Sequence, residues 1–349
     1  MITYILLLIL FFILFLPLFL KRIERNIEVF FFVMAIMTLI LAHIFGTEPA
    51  FSLKLVWTSI IAPVKLVIAT LVFGLLFKMY RKPLEKEILY IERSIGTRLF
   101  SALLILFLGL VSSVITAIIA ALILSEVISI LGLDKKYESR LVILACFSIG
   151  MGAALTPIGE PLSTIAIVKI KGTVNNTDLL FLIKLLGPYV FSGLILVSTA
   201  GFLLKGKKVK KINSLTEDFS ETFKDTAIRA LKVYVFVMSL VLLGGGLKPL
   251  VENHISKLSG PLLYWINMLS AVVDNATLAA AELGPHLSLP QIRGILMGLI
   301  ISGGMLIPGN IPNIIAAGKL KISIRTWAKI GIPMGLILMS LYYVMLFIK

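Results

Sequence analysis

A chain of 349 residues that is 59% hydrophobic, with a mean hydropathy of +1.04, is too apolar for a water-soluble domain. Its net charge of +15 sits in short loops between apolar runs, so membrane orientation explains the basic residues and nucleic acid is excluded as a partner. The single cysteine, Cys146, lies in an apolar run, which excludes an internal disulfide framework and leaves inert packing as its role.

The first apolar run, 2–20, lacks a basic leader and continues into Lys21-Arg22. It is expected to be a spanning helix rather than a removed signal. Further spans are predicted at about 27–45, 57–78, 141–168, 178–204, 231–249, 291–318 and 327–348, each near the length that crosses a bilayer. Two other apolar segments, 97–131 and 258–284, are interrupted midway by polar residues. These are Ser112, Ser113 and Thr116 in the first, and Ser270, Asp274 and Asn275 in the second. Both are predicted to be re-entrant hairpins, which need surrounding protein or a cavity. Between spans, Leu84, Ile88, Ile91 and Ile95 mark one helical face of 80–98. Ser214 and Glu217 have capping-box spacing ahead of Phe219, Phe223 and Ala227. Interfacial helices and solvated loops with a helical turn both fit these two segments. The basic run 205–211 fits topology and anionic-lipid contact.

With hairpins that do not cross, one side collects the basic residues of 21–25, 78–98, 135–140, 205–232 and 319–325. The other keeps only Lys54, Lys169, Lys171, Lys248, Lys257, Arg293 and Lys349. The rich side is therefore expected in the cytoplasm and both termini outside, in a multi-pass cell-membrane protein. The predicted organisation is an all-α polytopic membrane protein. Residues 1–56 add two N-terminal helices, and 57–204 form a first repeat with a cytoplasm-facing hairpin, 97–131. A basic linker, 205–230, follows, then a second repeat, 231–349, with an outside-facing hairpin, 258–284. Each unit crosses three times, an odd number, so the second copy is inverted.

The repeat is sharpest where Gly, Pro and polar residues break two helices. Residues 149–167 read IGMGAALTPIGEPLSTIAI, and 300–317 read IISGGMLIPGNIPNIIAA. A constant offset (309 − 159 = 150) lays Gly309 on Gly159, Asn310 on Glu160, Asn313 on Ser163 and Lys319 on Lys169. Paired broken helices of this kind point to a transporter's binding site.

Ionisable groups inside the spans are few, and each is a candidate. Glu160 and Asp274 lead, because a break or a tip surrounds a carboxylate with carbonyl and half-helix ligands. Thr156, Ser163, Asn275, Asn310 and Asn313 add neutral oxygens, as do Ser112 and Thr116 at the first tip. Such hard ligands suit Na⁺, and the same carboxylates can carry a proton, the minimal device for antiport. A capping role for Glu160 fits the residues too. Glu126 and Glu282 sit on the outgoing hairpin arms, where pairing competes with ligation. Lys65 fits a counter-charge or a snorkelling lysine. No HExxH, GxSxG, P-loop or Cys/His cluster is present, and His43, His254 and His286 are scattered. No enzyme activity and no cofactor is expected; the transported ions would be Na⁺ and H⁺.

The stretch T-P-I-G-E-P-x-S (156–163) resembles the G-G-x-x-T-x-I-G-D-P-P-N signature of the ion transporter superfamily. Ser270-Ala-Val-Val-Asp274-Asn275-Ala-Thr277 resembles its S-A-x-x-D-N-x-x hairpin tip, known from D-type sodium/proton antiporters and arsenite-pump-like carriers. Overall the chain is most similar to a small prokaryotic family described as predicted cation transporters. The resemblance covers about 57–348. It implies a homodimer and a transport domain of two hairpins and two broken helices moving like an elevator past a scaffold. It would place Thr156, Glu160, Ser163, Asp274, Asn275, Asn310 and Asn313 around the substrate. Departures are Glu160 for Asp, Leu162 for the second Pro, and Ser163 for Asn; Thr116-Ala117 stand where the first tip would carry Asp-Asn. The expected function is Na⁺/proton antiport. The alternatives are a cation- or proton-coupled carrier of a small carboxylate or oxyanion, and a membrane scaffold without transport.

Overall fold

The computed structural model describes residues 2–20, 22–23, 26–45, 51–170, 180–206, 223–250, 258–273, 275–284 and 287–348. The regular elements among them are all helical. Three long elements come first: α1 (Ile2–Phe19), α2 (Ile27–Phe45) and α3 (Leu53–Ile95). Then come α4 (Thr97–Ile115), α5 (Ala117–Leu131), α6 (Lys135–Ala153), α7 (Pro161–Lys169) and α8 (Phe181–Leu203). The second half has α9 (Phe223–Leu250), α10 (Gly260–Ile266) with a 3-10 turn (Asn267–Ala271), and α11 (Asn275–Glu282). It ends with α12 (Leu289–Gly303), a 3-10 turn (Ile307–Gly309), α13 (Ile311–Leu320) and α14 (Ile324–Phe347).

Four described helices, α2, α4, α8 and α14, are long and apolar enough to cross a membrane. Their outer faces carry large exposed side chains such as Phe107, Ile195 and Ile337, a surface suited to lipid rather than water. The chain is thus a helical protein of membrane type.

Local chemistry sets the ends. Ser52 accepts from Leu55 N at 3.1 Å and Asp134 from Tyr137 N at 3.0 Å, while Ser288 and Gln291 form a capping box. Gly132 leaves α5 in the left-handed region at φ 59°. Between α3 and α4 the only spacer is Gly96 at φ 83°. Its N–H donates to Glu92 O at 2.8 Å, and Thr97 Oγ1 donates to the Glu92 carboxylate at 2.5 Å. A glycine at positive φ and a hydroxyl bonded to the preceding turn let one helix end and the next begin across a single residue.

One element differs from the sequence reading. The span at 57–78 and the amphipathic segment 80–98 are not separate: α3 runs unbroken through both for 43 residues. At 1.5 Å per residue that is roughly 65 Å, about twice a bilayer core. Charge changes at Lys78, but Lys, Arg and Glu are good helix formers, and the helix continues through Pro63 and Pro83 although each proline lacks an N–H and crowds the carbonyl one turn back. The 214–217 capping motif and most of the 205–230 linker lie outside the described residues.

Packing divides the helices into two groups. In one, α2 and α9 lie side by side and α9 also packs on α3. Phe31 and Phe236 meet edge to face at 5.1 Å, and a Cβ on Gly246 would come within 3.0 Å of the α2 backbone. Small residues bring membrane helices this close. In the other, α4, α6 and α8 pack on one another, and α12 joins α6, α8, α10 and α14. The groups meet where α3 touches α5 and where α9 touches α11 and α13.

Candidate ion site at two helix breaks

Both predicted broken helices are broken. α6 stops at Ala153 and α7 starts at Pro161; α12 stops at Gly303 and α13 starts at Ile311. Each break folds back on itself in the same way. A Cβ on Gly159 would lie 2.0 Å from Ala153 O, and one on Gly309 2.5 Å from Gly303 O. Only glycine permits either contact. The residue that opens each returning half-helix is extended: Glu160 at φ −155°, ψ 160°, and Asn310 at φ −152°, ψ 147°. The overlay read from the sequence is therefore also a conformational match.

The hydroxyl and amide groups hold these breaks in shape. Ser163 Oγ donates to Ala154 O at 3.0 Å, across the first break. Asn313, its counterpart, donates through Nδ2 to Gly303 O and Leu306 O, both at 2.8 Å, and its Oδ1 is buried without a partner. Carbonyls released by a broken helix need such donors when no water reaches them.

Polar residues of α4 and of the 3-10 turn Asn267–Ala271 are fastened to the broken helix that follows each. α4 and α5 pack together across Thr116, which has φ 77° and caps α5 through Ile119 N at 3.4 Å. Thr156 Oγ1 donates to Ser113 O, and Ala117 N donates to Gly159 O at 3.0 Å. Ser112 Oγ donates to Gly109 O at 2.7 Å and Ile149 O at 3.0 Å. In the second half Ser270 Oγ donates to Leu299 O at 3.3 Å. Two shifts map one bond onto the other (270 − 112 = 158 along the hairpin; 299 − 149 = 150 along the broken helix). The same shifts carry Gly109 and Gly152 to Asn267 and Ser302. A Cβ on Gly152 would lie 1.7 Å from Gly109 O, and Ser302 Oγ donates to Asn267 O at 2.6 Å.

The second break also packs against the first broken helix, on α6. Asn310 is buried against α6, with Nδ2 2.7 Å from where a Gly150 Cβ would be. Phe147 fills the space beside Gly304, and Cys146 Sγ donates to Pro312 O at 3.7 Å. The returning half-helices then cross over: α13 packs on α5 of the first hairpin, and α7 packs on α11 of the second.

Of the sequence candidates, Ser112, Thr116, Thr156 and Ser163 gather at the first tip and break, with Glu160 there at 6% exposure. Glu160 makes no side-chain capping bond to α7. Asn275 begins α11 at 5% exposure; its Nδ2 has no hydrogen-bond partner and lies 3.8 Å from a Gly303 Cβ position. Asn310 and Asn313 line the second break. Asp274 lies outside the described residues. Ser112, Thr156 and Ser163 spend their hydroxyl protons on backbone carbonyls, so their first task is to shape the breaks. Any cation would use their lone pairs.

Two acids on the outgoing arms part company. Glu126 is buried and paired with Lys319, joining α5 to α13. Glu282 is 3% exposed, and neither oxygen has a hydrogen-bond partner. By sequence the two acids are equivalent candidates; the signal that separates them is whether a lysine reaches the acid across a tertiary contact.

No curated protein matches the chain. A family profile matches residues 3–349, and the chain belongs to that family, DUF1646, described as proteins of unknown function.

Proposed function

We propose that the chain is a secondary active transporter that exchanges Na⁺ for protons. The observation that carries this is the pair of glycine-folded breaks of matching conformation, in helices fastened to Ser112 and to Ser270, with Asn310 of the second break packed against Gly150 of α6. Interrupted helices meeting inside a membrane protein supply backbone carbonyls and half-helix ends to an ion, with Glu160 and Asp274 as its charged ligands and Asn275, Asn310, Asn313, Thr156 and Ser163 around them. The shared hydrogen bonds at Ser112 and Ser270 support two repeats of one unit, and the basic-loop asymmetry supports their inverted orientation with both termini outside.

An elevator-like movement fits the packing. Hairpins and broken helices form one body, and α2, α3 and α9 form another against which it can slide. A cavity of about 210 Å³ lies in the seam, lined by Phe236 of α9 and by Ile307, Ile314 and Gly318 of the second broken helix. In this reading the protein works as a homodimer in the cell membrane.

Proteoliposomes with a trapped pH dye test the proposal. Pulses of Na⁺ or Li⁺ are expected to move protons in the wild type and not in Asp274→Asn, with both proteins eluting as the same oligomer. Silence of the wild type to Na⁺, Li⁺, K⁺ and Ca²⁺ between pH 6 and 9 rejects it. A second reading, cation-coupled uptake of a small carboxylate or oxyanion, is favoured by one feature: the buried Asn275 Nδ2 is a donor with no partner. Thermal stabilisation by the anion, with none by cations alone, would select that reading.

A further inference from the structure

Glu282 is a buried acid outside the tips and breaks. It closes α11, and both its oxygens are buried without a partner. A carboxylate at a helix C-terminus faces the negative end of the helix dipole, and burial without donors adds a desolvation penalty. The group therefore needs a counter-charge or a proton.

The first half of the molecule uses a fixed counter-charge. Glu126, on the outgoing arm of the first hairpin, is held by Lys319 of α13. The matching lysine for Glu282 is Lys169 of α7 (319 − 169 = 150), and α7 packs on α11 as α13 packs on α5. Yet Lys169 is exposed and makes no bond to Glu282. The other described elements on α11 bring Arg293 from α12, which reaches the Tyr189 hydroxyl at 3.3 Å, and Lys248 from α9. Neither bonds to the Glu282 carboxyl. The side chain nearby is Asn267, fully buried, with Nδ2 on Ile295 O at 3.3 Å and Oδ1 without a partner; it makes no hydrogen bond of normal length to Glu282.

We propose that Glu282 is the carboxyl that takes up and releases the exchanged proton, at a place separate from the cation-binding acids of tip and break. The proposal rests on the transporter reading. A buried carboxyl to which no lysine or arginine bonds is neutralised by a proton, which needs a single oxygen. Uptake forms one O–H bond at a Glu282 oxygen and cancels one negative charge; release breaks that bond and returns the proton to water.

The test uses the full chain in phosphatidylethanolamine–phosphatidylglycerol vesicles. Infrared difference spectra across a pH titration report a protonated carboxyl by its C=O stretch. That band is expected in the wild type and in Glu282→Asp, to be lost in Glu282→Gln, and to be unchanged in Lys169→Met. In the same vesicles Glu282→Gln is expected to lose Na⁺-driven proton movement while retaining exchange of isotopic Na⁺. A Glu282→Gln spectrum like the wild type, proton movement undiminished in that variant, or a band altered by Lys169→Met overturns the proposal. If wild-type vesicles move no ion, the transporter reading falls, and the infrared comparison still decides whether Glu282 holds a proton.

Discussion

At Gly159 and Gly309 one hydrogen atom in place of a methyl group decides whether a helix can fold back on itself. The carbonyl of Ala153 occupies the space that a Gly159 side chain would need, at 2.0 Å, and backbone cannot give way as a flexible side chain can. Gly159→Ala is therefore expected to destabilise the protein by about 1–3 kcal/mol, the usual range for overpacking, or to prevent folding. Gly318 is the control: a Cβ there meets nothing within 4 Å, and alanine favours a helix over glycine. Gly318→Ala is expected to leave the melting temperature in detergent unchanged or slightly higher. At the same scale, the sequence showed that Ser112, Thr156 and Ser163 were polar where lipid would forbid it. It did not show what their hydroxyls do, because a fastening serine and a ligating serine look alike until distances are known.

Between elements, the joint of α5 and α13 contains a buried ion pair, Glu126 with Lys319. Such a pair adds little net stability over an apolar isostere, but removing one partner strands the other. Lys319→Met is expected to cost about 3–5 kcal/mol, and Lys319→Met combined with Glu126→Gln to recover most of it. Chemical unfolding of the three variants measures this. The helices themselves were legible from apolar runs, and the breaks from Gly and Pro beside polar residues. The length of α3 was not, because a run of Lys, Arg and Glu changes solvation without changing helix preference.

For the whole molecule the seam between α2 and α9 on one side and α13 and α14 on the other matters most. Its open pocket of about 210 Å³ is lined by Gly318. If the hairpin body moves along this seam, filling it should resist movement without disturbing either body. Gly318→Leu is expected to slow ion flux in vesicles severalfold, with its melting temperature and cation-induced stabilisation close to wild type. Unchanged flux would mean that the seam stays closed during transport.

Hydropathy, punctuation and charge could be read along the chain, because each is a local property with its own spacing. They determined a helical membrane protein, two interrupted helices and the residues that interrupt them. Which groups remained unbonded was decided only in three dimensions. Glu126 lies within α5 and Glu282 ends α11; a lysine of α13 reaches the first, and no lysine bonds to the second. Counter-charge acts over a few ångströms of space, and the two partners of the formed pair stand nearly two hundred residues apart (319 − 126 = 193). No local pattern records that contact, and so none could tell the acid that is bound from the acid that is left to bind.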